Sequence, residues 1–295
     1  MIVNNVFIED SLKYRECDGK VIDIYMRMQE LSDLEEIVEY CKQIGEKIFK
    51  NDEKIYEIEV CKGIPLYAFL FTMEVVDGQT ADIIRRLQDF IDKGMSSLSI
   101  QEDNFGKNII GISLGESLEH VANIKEYIHY RRSILRTIED PLLYGEFMKS
   151  CFPNSEFADN IIEPLIDIED FPKHVVEITD NLIVLDDQAV DLYKKYSNDL
   201  ATAMNCLKAQ LRECTYESNR HKTAVTFRFA YAEIINGEKE TKYKDVVCSP
   251  HLKLIRNNSN LRIYFYWCDP DVGDGEKVLV GRIGGHPYPD PKKNR

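Results

Sequence analysis

The sequence predicts an α+β protein, in which a mixed, mainly helical, acidic N-terminal body precedes an antiparallel sheet. Three observations predict it. Apolar residues recur at helical spacing through much of the first two-thirds of the chain. From Thr223 onward the texture changes to short alternating runs separated by tight turns. The charge divides at the same place: residues 206–295 carry 16 Lys/Arg against 11 Asp/Glu, a net of +5, whereas residues 1–205 carry a net of −19. A run of helices followed by a run of short strands argues for helices packed on one face of an antiparallel sheet.

The elements follow in order. Ser32 with Glu35 three residues later reads as a capping box, and Leu34, Ile37, Val38, Cys41, Ile44 and Ile48 continue a helical stripe. "KIYEIEV" (54–60) alternates as a half-buried strand. "GQTADIIRRLQDFIDKG" (78–94) reads as a helix with Thr80 as its N-cap and Gly94 past its end. "KNIIGISLG" (107–115) reads as a buried strand and 116–135 as another helix. Pro141 and "SCFPNSEF" (150–157) read as a connection. Residues 159–213 read as helices broken at Pro164 and Pro172, the longest being 186–214. Strands are then expected at 223–235, 241–247, 249–255, 261–267 and 277–283. "NGEKE" closes the first hairpin, and "PYPDPKKNR" reads as a frayed tail. The expected domains are an acidic body (1–150), a helical connector (151–205) and a β domain (206–295).

Several function classes lack their motifs. The eight cysteines are scattered without a C-x-x-C pair, which favours reduced thiols over a zinc site or disulfides. "DPDVGDGE" (269–276) fails as a calcium loop, because the sixth position is Asp274 rather than Gly and the twelfth is Val280 rather than Glu. Glu276 and Lys277 are adjacent and would point to opposite faces of a strand. "GISLGES" lacks the Lys-Ser/Thr of a phosphate loop, and no G-x-S-x-G is present. No apolar run reaches the ~20 residues of a spanning helix. The N-terminus does not read as a secretory signal, so a cytoplasmic protein without membrane contact is expected.

The last strands carry the chemistry. In 261–267, Leu261, Ile263, Phe265 and Trp267 share an apolar face that must meet the core, which turns Arg262, Tyr264 and Tyr266 outward. His251 and Lys253 share a face of the preceding strand, while Arg282 and His286 lie at the end of the last one. Such a face suits metal-free RNA cleavage, in which a 2′-hydroxyl attacks the adjacent phosphate. Lys, His or Tyr can act as acid or base, Arg clamps phosphate and Tyr rings stack on bases. Arg and Tyr also suit an ordinary half-buried sheet surface, and both readings stand at this stage.

"SPHLKLI…LRIYFYW…KVLVGRIGGHPY" resembles the C-terminal strands of RelE/HigB-type toxins, small mRNA-cleaving ribonucleases. The resemblance covers about 50 residues, or 206–295 if the long helix is included; residues 1–205 lie outside it. It implies a RelE-like antiparallel sheet, with action from Lys253, Arg262 and residues near Arg282 and His286. The toxins are small and basic, whereas this chain is large and acidic. The layout of "FPNSEF" (152–157) followed by 251–286 also resembles uncharacterised bacterial proteins of mobile or anti-phage gene neighbourhoods. The resulting expectation is a toxin-like effector that cleaves RNA without metal or cofactor. Lys253, Arg262, Tyr264 and His286 would be catalytic, and His251, Arg256, Tyr266 and Arg282 would bind RNA. Its partners would be RNA or the ribosome, and a protein of a defence or toxin–antitoxin system. The alternative is a non-enzymatic subunit whose acidic body binds a partner protein.

Overall fold

The computed structural model describes residues 3–13, 24–72, 78–97, 108–197, 199–211, 213–235, 238–254 and 260–288. The fold is α+β, and the chain forms two compact units, Met1–Arg131 and Arg132–Arg295. The segment expected as a connector, 151–205, belongs to the second unit, because it supplies both a strand and helices to that unit's core. Among the described residues no helix is long and apolar enough to cross a membrane.

The first unit is built on a four-stranded parallel sheet of β1 (Val3–Phe7), β2 (Ile48–Lys50), β5 (Ser96–Ser97) and β6 (Asn108–Ile112), in the order β5-β2-β1-β6. Helix α1 (Ile24–Gln43) connects β1 to β2 and buries Leu31, Leu34, Ile37, Val38 and Cys41. Ser32 is not its cap: it sits mid-helix and donates to the Met28 carbonyl, while Glu35 pairs with Arg86. The helix stops at Gly45, whose φ of +71° suits glycine, with Gly45 N bonded to Lys42 O and Glu46 N to Cys41 O. That stop converts Ile48 from a stripe position into a strand.

The expected strand 54–60 is another correction. Asn51 caps a helical turn, α2 (Asp52–Ile55), and only β3 (Glu59–Cys61) is extended, pairing with β4 (Ile64–Pro65). Ile55 and Ile58 are buried, a spacing of three that fits a turn rather than a strand. Helices α3 (Leu66–Phe71) and α4 (Gly78–Asp89) follow, the latter ending in a wider turn over Phe90–Gly94; Thr80 lies within α4 rather than capping it. Helix α5 (Ile124–Leu135) begins eight residues later than its periodicity suggested, since 113–123 first form a loop that bonds back to β6.

A buried polar network ties β1, the end of α1 and α5 together. Arg131, fully buried, holds Glu46 with two hydrogen bonds of 2.6 and 2.8 Å. Its guanidinium also donates to the Tyr127 hydroxyl (3.0 Å), which donates to Asn5 (2.9 Å). Burial pushes the Glu46 carboxyl up, but hydrogen bonds from Arg131, Asn5 and Tyr127 and the Arg131 charge prevail and hold it below its usual range.

The second unit packs helices against a five-stranded sheet. Pro141, read as a connection, occupies the first turn of α6 (Pro141–Met148), whose cap is Asp140 accepting from Leu143 N at 2.7 Å. "FPNSEF" contains β7 (Ser155–Phe157), which pairs in parallel with β13 (Val278–Gly284). After α7 (Ile162–Ile166), the long helical stretch is two helices, α8 (Val175–Lys195) and α9 (Leu200–Leu211). The chain leaves α8 at Tyr196, and Asp199 caps α9 through Thr202. Asp186 anchors α8 by accepting from Ser155 (2.7 Å) and pairing with Arg132 (2.5 Å).

The sheet order is β7-β13-β12-β11-β8, with β8 (Cys214–Tyr216), β11 (Pro250–Lys253) and β12 (Arg262–Tyr266). It is antiparallel except for β7, so it is mixed. The apolar side of β12 meets the core as expected: Ile263 and Phe265 are fully buried, and Trp267 stacks on Tyr193 of α8. The opposite side was expected to face solvent. It is instead covered at one end by a ribbon of β9 (Thr226–Ile235) and β10 (Glu238–Val247). Phe227, Phe229, Val246 and Cys248 pack with Tyr264 and Leu279, while the distal ribbon is exposed, Ile234 included. The close approach requires Gly281: a Cβ there would lie 2.2 Å from Phe227 Cδ2 and 2.9 Å from Cys248 Sγ. Lys244 further pins the ribbon through Asp269 (2.8 Å) and Asp271 (2.6 Å) of the β12–β13 loop.

Two outcomes are expected. Arg131→Met, which strands a mostly buried carboxylate, lowers stability by about 3 kcal/mol in urea denaturation at pH 7. Because the folded Glu46 pKa is depressed, its contribution is present above the ordinary glutamate value of 4.5 and is lost as pH falls through the folded pKa. The difference between variant and native protein therefore narrows in acid, and a pH-independent gap contradicts the assignment. Gly281→Ala costs ~1–3 kcal/mol by overpacking, and adding Phe227→Leu recovers part of the loss; simple additivity of the two changes refutes the contact.

Candidate RNA-processing site

Pairing register brings the candidate residues into rows. Lys253 lies opposite Arg262, and Arg262 opposite Gly284. In the next row Thr215, His251, Tyr264 and Arg282 are direct partners across β8, β11, β12 and β13. Direct partners in antiparallel strands share a face, so six of the eight expected residues reach one side: His251, Lys253, Arg262, Tyr264, Arg282 and His286. His286 lies just beyond β13, and its Nδ1 is 2.9 Å from the Tyr264 hydroxyl.

The two remaining expectations fare differently. Tyr266 follows a register shift between Tyr264 and Phe265, and packs against the apolar cluster beneath the ribbon. It is thereby withdrawn from the polar group. Arg256 lies outside the described residues.

The face is a cup rather than an open surface. Its floor is buried, with His251 5%, Arg262 9% and Tyr264 0% exposed. Lys253, Arg282, His286 and Tyr288 form a half-buried rim. Tyr264 spans two environments. Its ring belongs to the apolar cluster, and its hydroxyl lies among the polar groups.

Four residues join that the sequence pattern did not single out. Thr215 Oγ1 is 3.1 Å from His251 Nε2. Glu217 Oε2 accepts from the Tyr288 hydroxyl at 3.0 Å and from the Tyr264 hydroxyl at 3.5 Å. His221 stacks on Tyr288 with centroids 3.9 Å apart. The strand β8 has only three residues after a helix, too short a signal for alternation, although Thr215 and Glu217 in "CTYE" do alternate. Tyr288 stood in a Pro-rich stretch that read as a tail.

The electrostatics are uneven. Lys253 pairs with Glu213 at 2.9 Å, and hydrogen bonding to Lys253 holds that carboxyl below its ordinary range. Arg262 donates from Nη1 to the Leu261 carbonyl, but its buried Nε has no hydrogen-bond partner among the described residues. Burial and the nearby Arg262 charge push the His251 pKa below 6.5, against the opposing pull of Glu217. Burial drives the Tyr264 hydroxyl well above the usual tyrosine range, so it acts as a neutral hydrogen-bonding group. The Arg282 Nε donates to Gly285 O at 2.8 Å, which orders the chain leading to His286.

The chain matches no protein-family model, no curated protein and no solved structure. What it can do is therefore argued from this arrangement: a cation with an unmet donor, a buried neutral imidazole, a second imidazole on the rim, and a carboxylate linked to both through tyrosines and charge.

The His251 ring is expected to titrate below pH 6.5, followed by NMR of its ring nuclei. Arg262→Met moves the midpoint upward by removing a neighbouring positive charge. A native midpoint above 6.5, or no response to Arg262→Met, contradicts the buried placement.

Proposed function

We propose that the second unit is a metal-independent endoribonuclease domain of the RelE/HigB kind, within a toxin-like cytoplasmic effector of a bacterial defence or toxin–antitoxin system. One observation carries the reading. His251, Lys253, Arg262 and His286 gather at one end of a single sheet face, within the basic stretch of an otherwise acidic chain. Arg262 supports it further, since a buried guanidinium with an unmet Nε is suited to receive an anionic oxygen.

The chemistry follows. His286 takes the proton of a 2′-hydroxyl, whose oxygen bonds to the adjacent phosphorus. Arg262 stabilises the added negative charge. The bond from phosphorus to the 5′-oxygen breaks, and Lys253 returns a proton to that oxygen. The products are a 2′,3′-cyclic phosphate and a 5′-hydroxyl end, and no metal is needed to balance the step.

The acidic segment 1–205 favours a second reading, in which the protein binds a basic partner and cleaves nothing. Purified protein is to be incubated with single-stranded RNA, with and without ribosomes, in the presence of a chelator. Cleavage to cyclic-phosphate ends is expected, with Arg262→Ala and His286→Ala each slower by ~10²-fold or more. If the native protein leaves RNA intact in both settings, and its expression does not arrest growth, the nuclease reading fails. A co-purifying protein partner would then favour the second.

A further inference from the structure

Glu217 lies at the centre of the cup's polar contacts. Its Oε2 accepts from the Tyr288 hydroxyl at 3.0 Å and faces the Tyr264 hydroxyl at 3.5 Å. The same Tyr264 oxygen is 2.9 Å from Nδ1 of His286. A phenol has one proton to give. A side-chain hydrogen bond also links Tyr264 to Tyr288, whose own hydroxyl donates to Glu217. Whether Tyr264 gives its proton to the carboxylate directly or to the Tyr288 oxygen, its own oxygen is left to accept, and the group facing it must be a donor. His286 Nδ1 must then carry the hydrogen, which leaves the lone pair of the neutral ring on Nε2.

We infer that Glu217 is a positioning residue that sets the tautomer of His286 through Tyr264, so that Nε2 is the nitrogen that takes the proton. The physics is that of a carboxylate fixing an imidazole, here with a buried phenol between them. Tyr264 suits the link, because its ring is held in the apolar cluster and cannot swing away. The second contact, from Tyr288, keeps the carboxylate in place. Ser218 N also donates to Glu217 Oε1 at 2.9 Å. Every hydrogen bond given to this carboxylate therefore favours its charged, accepting form. Other titratable groups that interact with His286 are His251 of β11 and Tyr288. Glu217 is the anion that interacts with the His286 ring through charge.

This inference rests on the ribonuclease reading for its purpose, but it is measured without cleavage. The test is a long-range proton–nitrogen correlation spectrum of the nitrogen-15-labelled full chain at a pH where His286 is neutral. Its ring is assigned by the signals lost in His286→Gln. The expected native spectrum has a pyrrole-type Nδ1 and a pyridine-type Nε2. Glu217→Gln keeps the shape but can donate to Tyr264, and is expected to shift the ring toward the other tautomer. Tyr264→Phe, which retains the buried ring, is expected to do the same, while Glu217→Asp largely preserves the native pattern. A native ring with its hydrogen on Nε2 overturns the inference without any variant. So does an unchanged tautomer in both Glu217→Gln and Tyr264→Phe.

The pH profile of RNA cleavage gives a second readout. Loss of the Glu217 charge moves the acidic limb to lower pH, because the imidazolium loses its stabilising neighbour. It also slows the plateau by roughly tenfold. If RNA is not cleaved but the tautomer behaves as expected, the positioning role stands and the ribonuclease reading falls. If RNA is cleaved with neither change, the reverse holds.

Discussion

The close approach of Phe227 to the backbone at Gly281 is the constraint on which the layout of the second unit's polar face depends. A sheet face with alternating polar and aromatic residues would ordinarily face water. The ribbon covers one end of it and leaves the other end to the polar rim. Only a residue without a side chain allows a phenyl ring so near a central strand. The result is a face divided in two. One end is apolar and holds Tyr266. The other is polar and holds His251, Arg262 and His286, and Tyr264 stands at the border.

The division gives the buried charges their meaning. Three arginines are buried, Arg131 in the first unit and Arg132 and Arg262 in the second, and Arg131 and Arg262 differ most in their contacts. Arg131 is fully committed, with two bonds to Glu46 and one to Tyr127. That network fastens β1 to two helices and leaves nothing for a ligand. Arg262 is the opposite case. Its Nη1 has one backbone acceptor, while its buried Nε has none among the described residues. An unmet buried donor costs ~1–3 kcal/mol, more for a charged group. Contact geometry thus distinguishes the two, although both are buried.

The alternation of 261–267 was sufficient to place Ile263, Phe265 and Trp267 in the core and to bring Arg262 and Tyr264 to the face shared with His251 and Lys253. Local signals were less reliable wherever distant packing decided the outcome. Ser32 and Glu35 have the letters of a capping box, yet α1 already begins at Ile24 and runs through them, with Leu31, Leu34 and Ile37 buried along it. The parallel sheet of the first unit was illegible for another reason: β2 and β5 have three and two residues, too few to show a period. The ribbon's position was also unreadable. Nothing in "TFRFAYAEII" says that Phe227 lies over Gly281, because that contact joins residues 54 positions apart. The rest of the site, Glu217 and Tyr288, comes from the segments that enter and leave the sheet, where position is set by the strands already formed.

Tyr264 links stability to chemistry in a way that neither end of the face does alone. Its ring contributes to the cluster that holds the ribbon, and its hydroxyl orders His286. A phenyl ring in its place preserves the first and abolishes the second, whereas a smaller side chain disturbs both. Ribbon packing and imidazole geometry therefore share one side chain. A displacement of the ribbon that moves the Tyr264 ring also lengthens a 2.9 Å hydrogen bond, and such bonds weaken steeply with distance and angle. The ion pairs from Lys244 to Asp269 and Asp271 act on the same point. They hold the ribbon to the β12–β13 loop and so keep the phenol in register. The fold reaches its site through packing under the ribbon as much as through the strands that carry the polar residues.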